Sequence, residues 1–227
     1  MTETPGRFYN GAGGFIFEVT NIFEESAQEY DDWYARNEFA YRSELAALKA
    51  FMPPEGHGLE IGVGTGRFAA PLGIKVGVEP ARAMAEIARS RGIRVTRAYA
   101  EALPFADDSF DFVMLVTVLC FFSDPIQALR ETMRVLKPQS RLIIGMIDPD
   151  SPLGQSYEMH KERSKFYRLA RFYPVSLVLD WLLSLGYENL MTCQTLFGRI
   201  PEVTDLDPVK AGHGEGGFVV IAAQKSA

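Results

Sequence analysis

Between Gly58 and Ile147 the chain alternates short apolar runs with helical periodicities, and that rhythm limits it to very few folds. Gly58 to Ile61, Lys75 to Val78, Ile93 to Ala98, Asp111 to Thr117 and Arg141 to Ile147 read as strands. Arg67 to Ala70, Ala81 to Arg91 and Pro125 to Leu136 read as the helices between them. Runs as uniformly apolar as the one after Asp111 must be covered on both faces, so the alternation predicts a doubly wound α/β fold around a parallel sheet. Beyond Pro149 a polar, aromatic-rich helical segment runs to about Phe172, followed by an apolar helix from Val175 to Leu185 that Gly186 stops. Leu190 to Phe197 and Gly217 to Ala223 can close the sheet edge as a long-looped antiparallel hairpin.

Ahead of this block, residues 1–22 hold Gly6, Gly11, Gly13 and Gly14 among scattered aromatics and predict an irregular arm. From Phe23, apolar residues recur at steps of three and four through Tyr30, Trp33, Tyr34, Tyr41, Leu45 and Leu48, which predicts an amphipathic helix ending before Pro53-Pro54. A length of 227 residues with 47% hydrophobic residues suits one domain with a sizeable core.

Several function classes are disfavoured at this level. The longest apolar stretch, Phe112 to Phe122, is broken by Thr117 and too short to span a bilayer, and the first residues show no secretory pattern, so a cytoplasmic protein without membrane contact is expected. Cys120 and Cys193 are the only cysteines, which gives neither a disulfide framework nor a paired metal-ligand spacing. A formal charge of −6 argues against a broad nucleic-acid footprint, and the arginines 89, 91, 94 and 97 read as decoration of a helix end and an exposed strand.

The stretch Leu59-Glu60-Ile61-Gly62-Val63-Gly64-Thr65-Gly66-Arg67-Phe68 carries the most chemistry. A buried strand runs into three alternating glycines and a helix start, so backbone amides can approach a ligand closely. The spacing is G-x-G-x-G rather than the G-x-G-x-x-G of dinucleotide enzymes, and no G-x-x-x-x-G-K-[ST] loop occurs. Glu79 closes the next strand, where a carboxylate can accept hydrogen bonds from both ribose hydroxyls of an adenosine-type ligand.

Together with Ala100-Glu101-Ala102-Leu103-Pro104-Phe105, Ser109-Phe110-Asp111 and Val135-Leu136-Lys137-Pro138, this loop resembles the class I S-adenosylmethionine-dependent methyltransferases, and most of all the group that contains the ubiquinone and menaquinone biosynthesis enzymes. The resemblance covers residues 23–147 motif by motif and the remainder by element order. It implies a Rossmann-like methyltransferase fold, a mainly parallel seven-stranded sheet with an antiparallel last strand, as a single domain over residues 23–227. It also implies S-adenosylmethionine as cofactor: Gly62, Gly64 and Gly66 on the methionine half, Glu60 supporting the loop, and Glu79 on the ribose. Met84 would pack on the adenine, Ala100 and Glu101 would sit at its polar edge, Val116 and Thr117 would line the sulfonium, and Tyr30 of the Tyr30-Asp31 pair would lie over the cofactor. This sequence departs from the family at three places. Thirteen positions separate Gly66 from Glu79 with Pro71 between, so the first helix is very short; Tyr99 stands where relatives often have an Asp; and Cys120-Phe121 replaces a frequent His pair.

Residues 149–173 are expected to form a helical lid. Tyr157, His160, Ser164, Tyr167 and Arg171 fall on one helical stripe, and Lys161, Arg163, Lys165 and Arg168 make the segment basic. Tyr157, His160 and Tyr167 are therefore the candidate substrate-side catalytic residues. The basic stripe suggests a small-molecule acceptor with an anionic group, and no metal is required. Two other readings remain open here: a cofactor-binding subunit without turnover, and a nicotinamide-dependent oxidoreductase, against which the glycine spacing and the lack of a Tyr-x-x-x-Lys pair both weigh.

Overall fold

The computed structural model describes residues 12–227. Three helices, α1 (Ala12–Glu25), α2 (Ala27–Arg36) and α3 (Glu38–Lys49), precede β1 (Gly58–Ile61), β2 (Val76–Val78), α4 (Arg82–Ser90), β3 (Arg94–Thr96) and β4 (Phe110–Val116). Then follow α5 (Pro125–Val135), β5 (Leu136–Ile147), α6 (Pro152–His160), α7 (Val175–Ser184), β6 (Tyr187–Thr195), β7 (Lys210–Ala211) and β8 (Phe218–Lys225). The strands form one sheet in the order β3-β2-β1-β4-β5-β8-β6-β7. β1 to β5 pair in parallel, and β8 inserts antiparallel between β5 and β6. The two final strands predicted as a hairpin thus pair with each other, and β7, a two-residue strand inside their long connection, brings the sheet to eight strands. Among the described residues no helix is long and apolar enough to cross a membrane.

Alternation along β4 divides the core between two layers. Val113 and Leu115 face α5 and α7 with Leu129, Val178 and Leu182, whereas Phe112, Met114 and Val116 face α3 and α4 with Leu48 and Ala88. Short polar residues set the helix starts. Asp124 accepts the amide of Gln127 at 2.9 Å with Pro125 in the first turn of α5, and Ser151 accepts that of Gly154 at 3.0 Å with Pro152 at the start of α6.

Four expectations are corrected. The part of the N-terminal arm that is described is helical from Ala12, and Glu24 near its end accepts the amide of Ala83 in the first turn of α4 at 3.1 Å. The helix expected from Phe23 starts inside α1 and is broken twice, at Ser26 (φ −130°, ψ 22°) and at Asn37, whose backbone leaves the helical region (φ −120°, ψ 48°) and whose side-chain amide caps the Trp33 carbonyl. No helix forms over Arg67–Ala70: consecutive turns carry the chain from Gly64 to Gly73, because Pro71 and the short connection allow no more. The lid is not one helix either. α6 stops at His160, a single 3-10 turn spans Lys161–Arg163, and Ser164 is extended (φ −80°, ψ 128°). Its hydroxyl accepts the Tyr167 amide, so the chain turns back on itself.

A buried ion cluster fixes the N-terminal helices to the sheet. The Asp31 carboxylate on α2 receives Nε and Nη2 of Arg67 at 2.9 and 2.6 Å and Nη1 and Nη2 of Arg91 at 2.7 and 2.8 Å. Arg67 directly follows the glycine loop and Arg91 ends α4, so one side chain joins three segments. Burial alone would raise the Asp31 pKa, but the bonds from Arg91 and Arg67 hold it far below the usual carboxylate range. With its side chain only 6% exposed, Asp31→Ala is expected to cost about 2 kcal/mol by urea unfolding, because it leaves two guanidiniums facing each other. Arg82→Ala, which breaks the exposed Arg82–Glu86 pair on α4, should stay within about 0.5 kcal/mol. Equal losses in both variants would remove the cluster from this role.

Candidate functional site

Beyond Ile61 the backbone turns sharply at the carboxyl end of β1, beside the point where the strand order reverses between β1 and β4. Gly62 and Val63 both donate to the Val78 carbonyl, at 2.8 and 2.9 Å, which ties the loop to the end of β2. Gly64 has φ +53°, and a side chain there would approach nothing closer than the Tyr30 ring at 3.8 Å; its open face borders a cavity. Gly66 is different, since a Cβ would come within 2.5 Å of Ile93: this glycine lets the loop pack on the chain after α4 and does not line the cavity.

The cavity encloses about 750 Å³ including its mouth. Tyr30, Gly62, Gly64, Glu79, Met84, Ala100, Glu101, Val116 and Thr117 all line it, so most of the residues expected on a cofactor come together. Glu79 sits between two amides: Oε2 accepts from Gly64 at 3.0 Å and Oε1 from Ala81 at 2.9 Å. Burial pushes its pKa up to about 7 against the pull of those bonds. Glu60 is fully buried behind the loop and outside the cavity. Burial holds its carboxyl well above the usual range, so it is protonated; the Ala69 backbone donates to it, and its Oε2 has no partner among the described residues. Glu101 lines the cavity, but its Oε1 is committed to the amide and hydroxyl of Ser123, both at 2.9 Å, and so secures the turn before α5.

Tyr30 and Thr117 also line a second cavity of about 550 Å³, so they form the wall that the two share. Thr117 is a β-branched residue with φ +49°, a conformation that stores about 1 to 3 kcal/mol. Trp33, Tyr34, Tyr157, Phe166, Tyr167 and Phe218 make the remaining wall largely aromatic. The Tyr30 hydroxyl lies 2.7 Å from that of Tyr34, and burial pushes the Tyr30 pKa up to about 12, so it stays neutral. One carboxylate, Glu44 of α3, faces this aromatic space.

Tyr157 and Tyr167 of the predicted lid line the second cavity and meet edge to face, 5.3 Å between ring centroids. His160 does not join them. It is exposed at the end of α6, where the backbone departs from helical geometry (φ −113°, ψ 1°) and the ring Nδ1 turns back to the Ser156 carbonyl at 2.7 Å. The basic residues face elsewhere as well. Lys165 pairs with Glu29 of α2 at 2.5 Å, Arg168 with Glu18 of α1 at 3.0 Å and Lys161 with Glu158 at 2.8 Å, and the Arg171 guanidinium lies 4.5 Å from the Phe15 ring centroid. The contacts of Lys165, Arg168 and Arg171 fasten the lid to the N-terminal helices, Lys161 pairs within the lid, and none of the four lines the second cavity. Sequence reasoning missed Glu44 and the wall that Ile16, Val19 and Phe23 of α1 give the first cavity. The signal for Glu44 was present: an acid on the same helical face as Ala40, Ala47 and Leu48.

Residues 59–144 match the family described as Methyltransferase domain. An uncharacterized protein of Methanocaldococcus jannaschii is 49% identical over 205 residues, covering 90% of this chain and 99% of that protein. A crystal structure from Thermotoga maritima, named as a SAM-dependent methyltransferase and possible histamine N-methyltransferase, shares 49% identity with a TM-score of 0.89 over 92% of this chain and 100% of that one. Similarity to a ubiquinone/menaquinone biosynthesis C-methyltransferase of Hahella chejuensis is confined to 63 residues, 43% identical and 27% of this chain.

Glu79 gives the site a measurable signature. Glu79→Gln is expected to weaken S-adenosylhomocysteine binding roughly ten- to a hundredfold, about 1.5 to 3 kcal/mol, for loss of a charged acceptor. Hydroxyl donors prefer the ionised carboxylate, so affinity of the unmodified protein should fall as the pH drops through about 7, and the variant should lack that dependence. Calorimetry from pH 6 to 8 decides it; unchanged affinity in a folded variant would return Glu79 to a purely structural place.

Proposed function

The chain belongs to the S-adenosylmethionine-dependent methyltransferases, and on that premise we propose that it moves the cofactor's methyl group to a small-molecule acceptor held in the aromatic cavity behind Tyr30 and Thr117. The observation that carries this reading is the shared wall: two cavities, one over the glycine loop and one lined by aromatic rings, meet at those two residues. Membership of the family removes the nicotinamide alternative.

The first cavity suits the cofactor on its own geometry. Gly64 presents a face without a side chain, Glu79 keeps lone pairs beyond the two amides it satisfies, and Met84, Ala98 and Ala100 supply an apolar wall for a flat ring. Bound there, S-adenosylmethionine supplies an electrophilic methyl group activated by its sulfonium. In this proposal Gly62 and Gly64 receive the methionine half, Glu79 holds the ribose, Met84, Ala100 and Glu101 border the adenine, and Val116, Thr117 and Tyr30 flank the methyl group. Glu60 and Gly66 act behind the loop by shaping it. The Tyr30 ring face favours a cation by about 0.5 to 2 kcal/mol. Tyr157 and Tyr167 border the acceptor, and residues 149–173, pinned to α1 and α2, act as a lid that keeps water out. Thr117 and Tyr30 both reach the acceptor side, so they align the acceptor with the methyl group instead of merely enclosing it. A single domain over residues 23–227, extended at its start by α1, and a cytoplasmic setting for the two buried free cysteines belong to the same proposal.

S-adenosylhomocysteine at about 100 times its Kd should stabilise the fold by about 2.7 kcal/mol, and NAD should not stabilise it. With methyl-labelled S-adenosylmethionine and a panel of small amines, phenols, thiols and carboxylates, the native protein should label at least one class. Tyr167→Ala should then cut labelling about tenfold or more with cofactor affinity nearly unchanged, and His160→Ala should leave both near the native values. Cofactor binding without any labelled product would favour the reading of a binding subunit without turnover.

A further inference from the structure

Four other buried carboxylates are met by the protein itself, among them Asp148, whose Oδ1 accepts the Asp150 amide at 3.1 Å. Asp31 has two guanidiniums, Glu79 has two amides, and Glu60 has the Ala69 backbone and no cavity to face. Glu44 differs on both counts. It is 93% buried by its 7% exposure, it lines the second cavity, and among the described residues its carboxylate takes part in no hydrogen bond or ion pair. Burial pushes its pKa up to about 8, with no opposing contribution from a nearby cation. A buried carboxylate without a partner is costly, and an apolar residue of similar volume at this point of α3 would be more stable. The lid cations Lys165 and Arg168 pair with Glu29 and Glu18 and Arg171 lies over Phe15, and among the described residues no cation pairs with Glu44.

The surrounding wall has matching chemistry. Trp33, Tyr34, Tyr157 and Tyr167 all line the cavity, and the faces of aromatic rings attract a cation through their negative quadrupole. Burial raises the Tyr34, Tyr157 and Tyr167 hydroxyls above their ordinary range, so these tyrosines are neutral and bring no charge of their own. An anion entering this space would meet Glu44 and ring faces and gain nothing from either.

We propose that the second cavity selects a small organic amine in its ammonium form, with Glu44 as its counter-ion and Trp33, Tyr34, Tyr157 and Tyr167 as an aromatic cage. The inference rests on the methyltransferase reading only in calling that amine the acceptor, in which case the ammonium first gives one proton to the Glu44 carboxylate so that its nitrogen has a lone pair to form the bond to the methyl group as the sulfonium S–C bond breaks; the charge preference of the cavity stands apart from it. Glu44 lines the second cavity and not the first, so it acts on acceptor choice and leaves cofactor binding alone. It is a specificity-determining residue, which replaces the basic face that sequence had suggested and reverses the expected sign of the ligand.

Three probes of one shape separate the outcomes: phenethylamine, 2-phenylethanol and 3-phenylpropionate, titrated calorimetrically at pH 8 into protein with and without saturating S-adenosylhomocysteine. The amine should bind about tenfold or more tighter than the alcohol, and the carboxylate weakest. Glu44→Gln should bring amine and alcohol to within about twofold of each other, since the amide keeps shape but not charge. Unchanged S-adenosylhomocysteine affinity shows that the variant is folded. Trp33→Leu, as a second variant, should weaken the amine about threefold or more and leave the alcohol less affected. Equal binding of amine and alcohol, preference for the carboxylate, a preference that survives Glu44→Gln, or no binding of any probe would each overturn the proposal. Failure of S-adenosylhomocysteine to bind would instead overturn the methyltransferase reading, and the titrations without it still report the charge preference.

Discussion

The site depends first on the carboxylate of Asp31. The glycine loop and α4 are already held by the sheet, but α2 is a short helix with no strand of its own to follow, and its place over the loop is set by the bonds to Arg67 and Arg91. Tyr30 is the residue before Asp31, so anchoring one fixes the other. Its ring is thereby set against Gly64, and its hydroxyl against Tyr34. A surface ion pair could not do this, because screening and side-chain entropy leave such pairs nearly neutral. Burial and four donor contacts make this one specific in geometry.

The buried carboxylates then divide the labour by environment rather than by sequence. Glu60 lies one residue before the end of β1, is deeply desolvated, and stays protonated; a charge there would weaken the strand it belongs to. Glu79 is buried too, but two amide donors pull its pKa back toward neutrality, so it can carry charge at working pH. Glu44 has neither donors nor a cation and relies on whatever enters the cavity. Identical chemistry thus yields three different ionisation behaviours, set by burial and by the donors that each carboxylate meets.

Sequence patterns were most legible where one element decides its own geometry. The run Leu59 to Phe68 could be read as strand, turn and ligand loop because positive φ at Gly64 and close packing at Gly62 and Gly66 demand glycine locally. Glu79 followed from its place at a strand end. The lid was legible only in part. Helical spacing put Tyr157, His160 and Tyr167 on one stripe, but the stripe is cut at Ser164, and the two tyrosines meet because the chain doubles back there. His160 lost its place to the fraying of the α6 terminus, which periodicity does not register. The basic residues cluster as their spacing predicts, but the acids that pair with Lys165 and Arg168, Glu29 and Glu18, lie more than a hundred residues earlier in sequence, beyond the reach of a local pattern. α1 was hidden by glycines that read as a loop; its stability comes from packing on α4, a tertiary term.

Thr117 ties these levels together. A β-branched residue adopts φ +49° at a cost, and here the neighbouring structure leaves it no alternative: its amide continues the β4–β5 ladder to Gly145 at 2.8 Å, and Val118 must follow it over Gly62, where even a Cβ would fall 2.3 Å from the valine. The strained turn carries the chain off the end of β4 between the two cavities, with its side chain beside Tyr30. Thr117 lines both cavities, so the strained residue stands at the junction where, in the proposed reading, the methyl group and the acceptor meet.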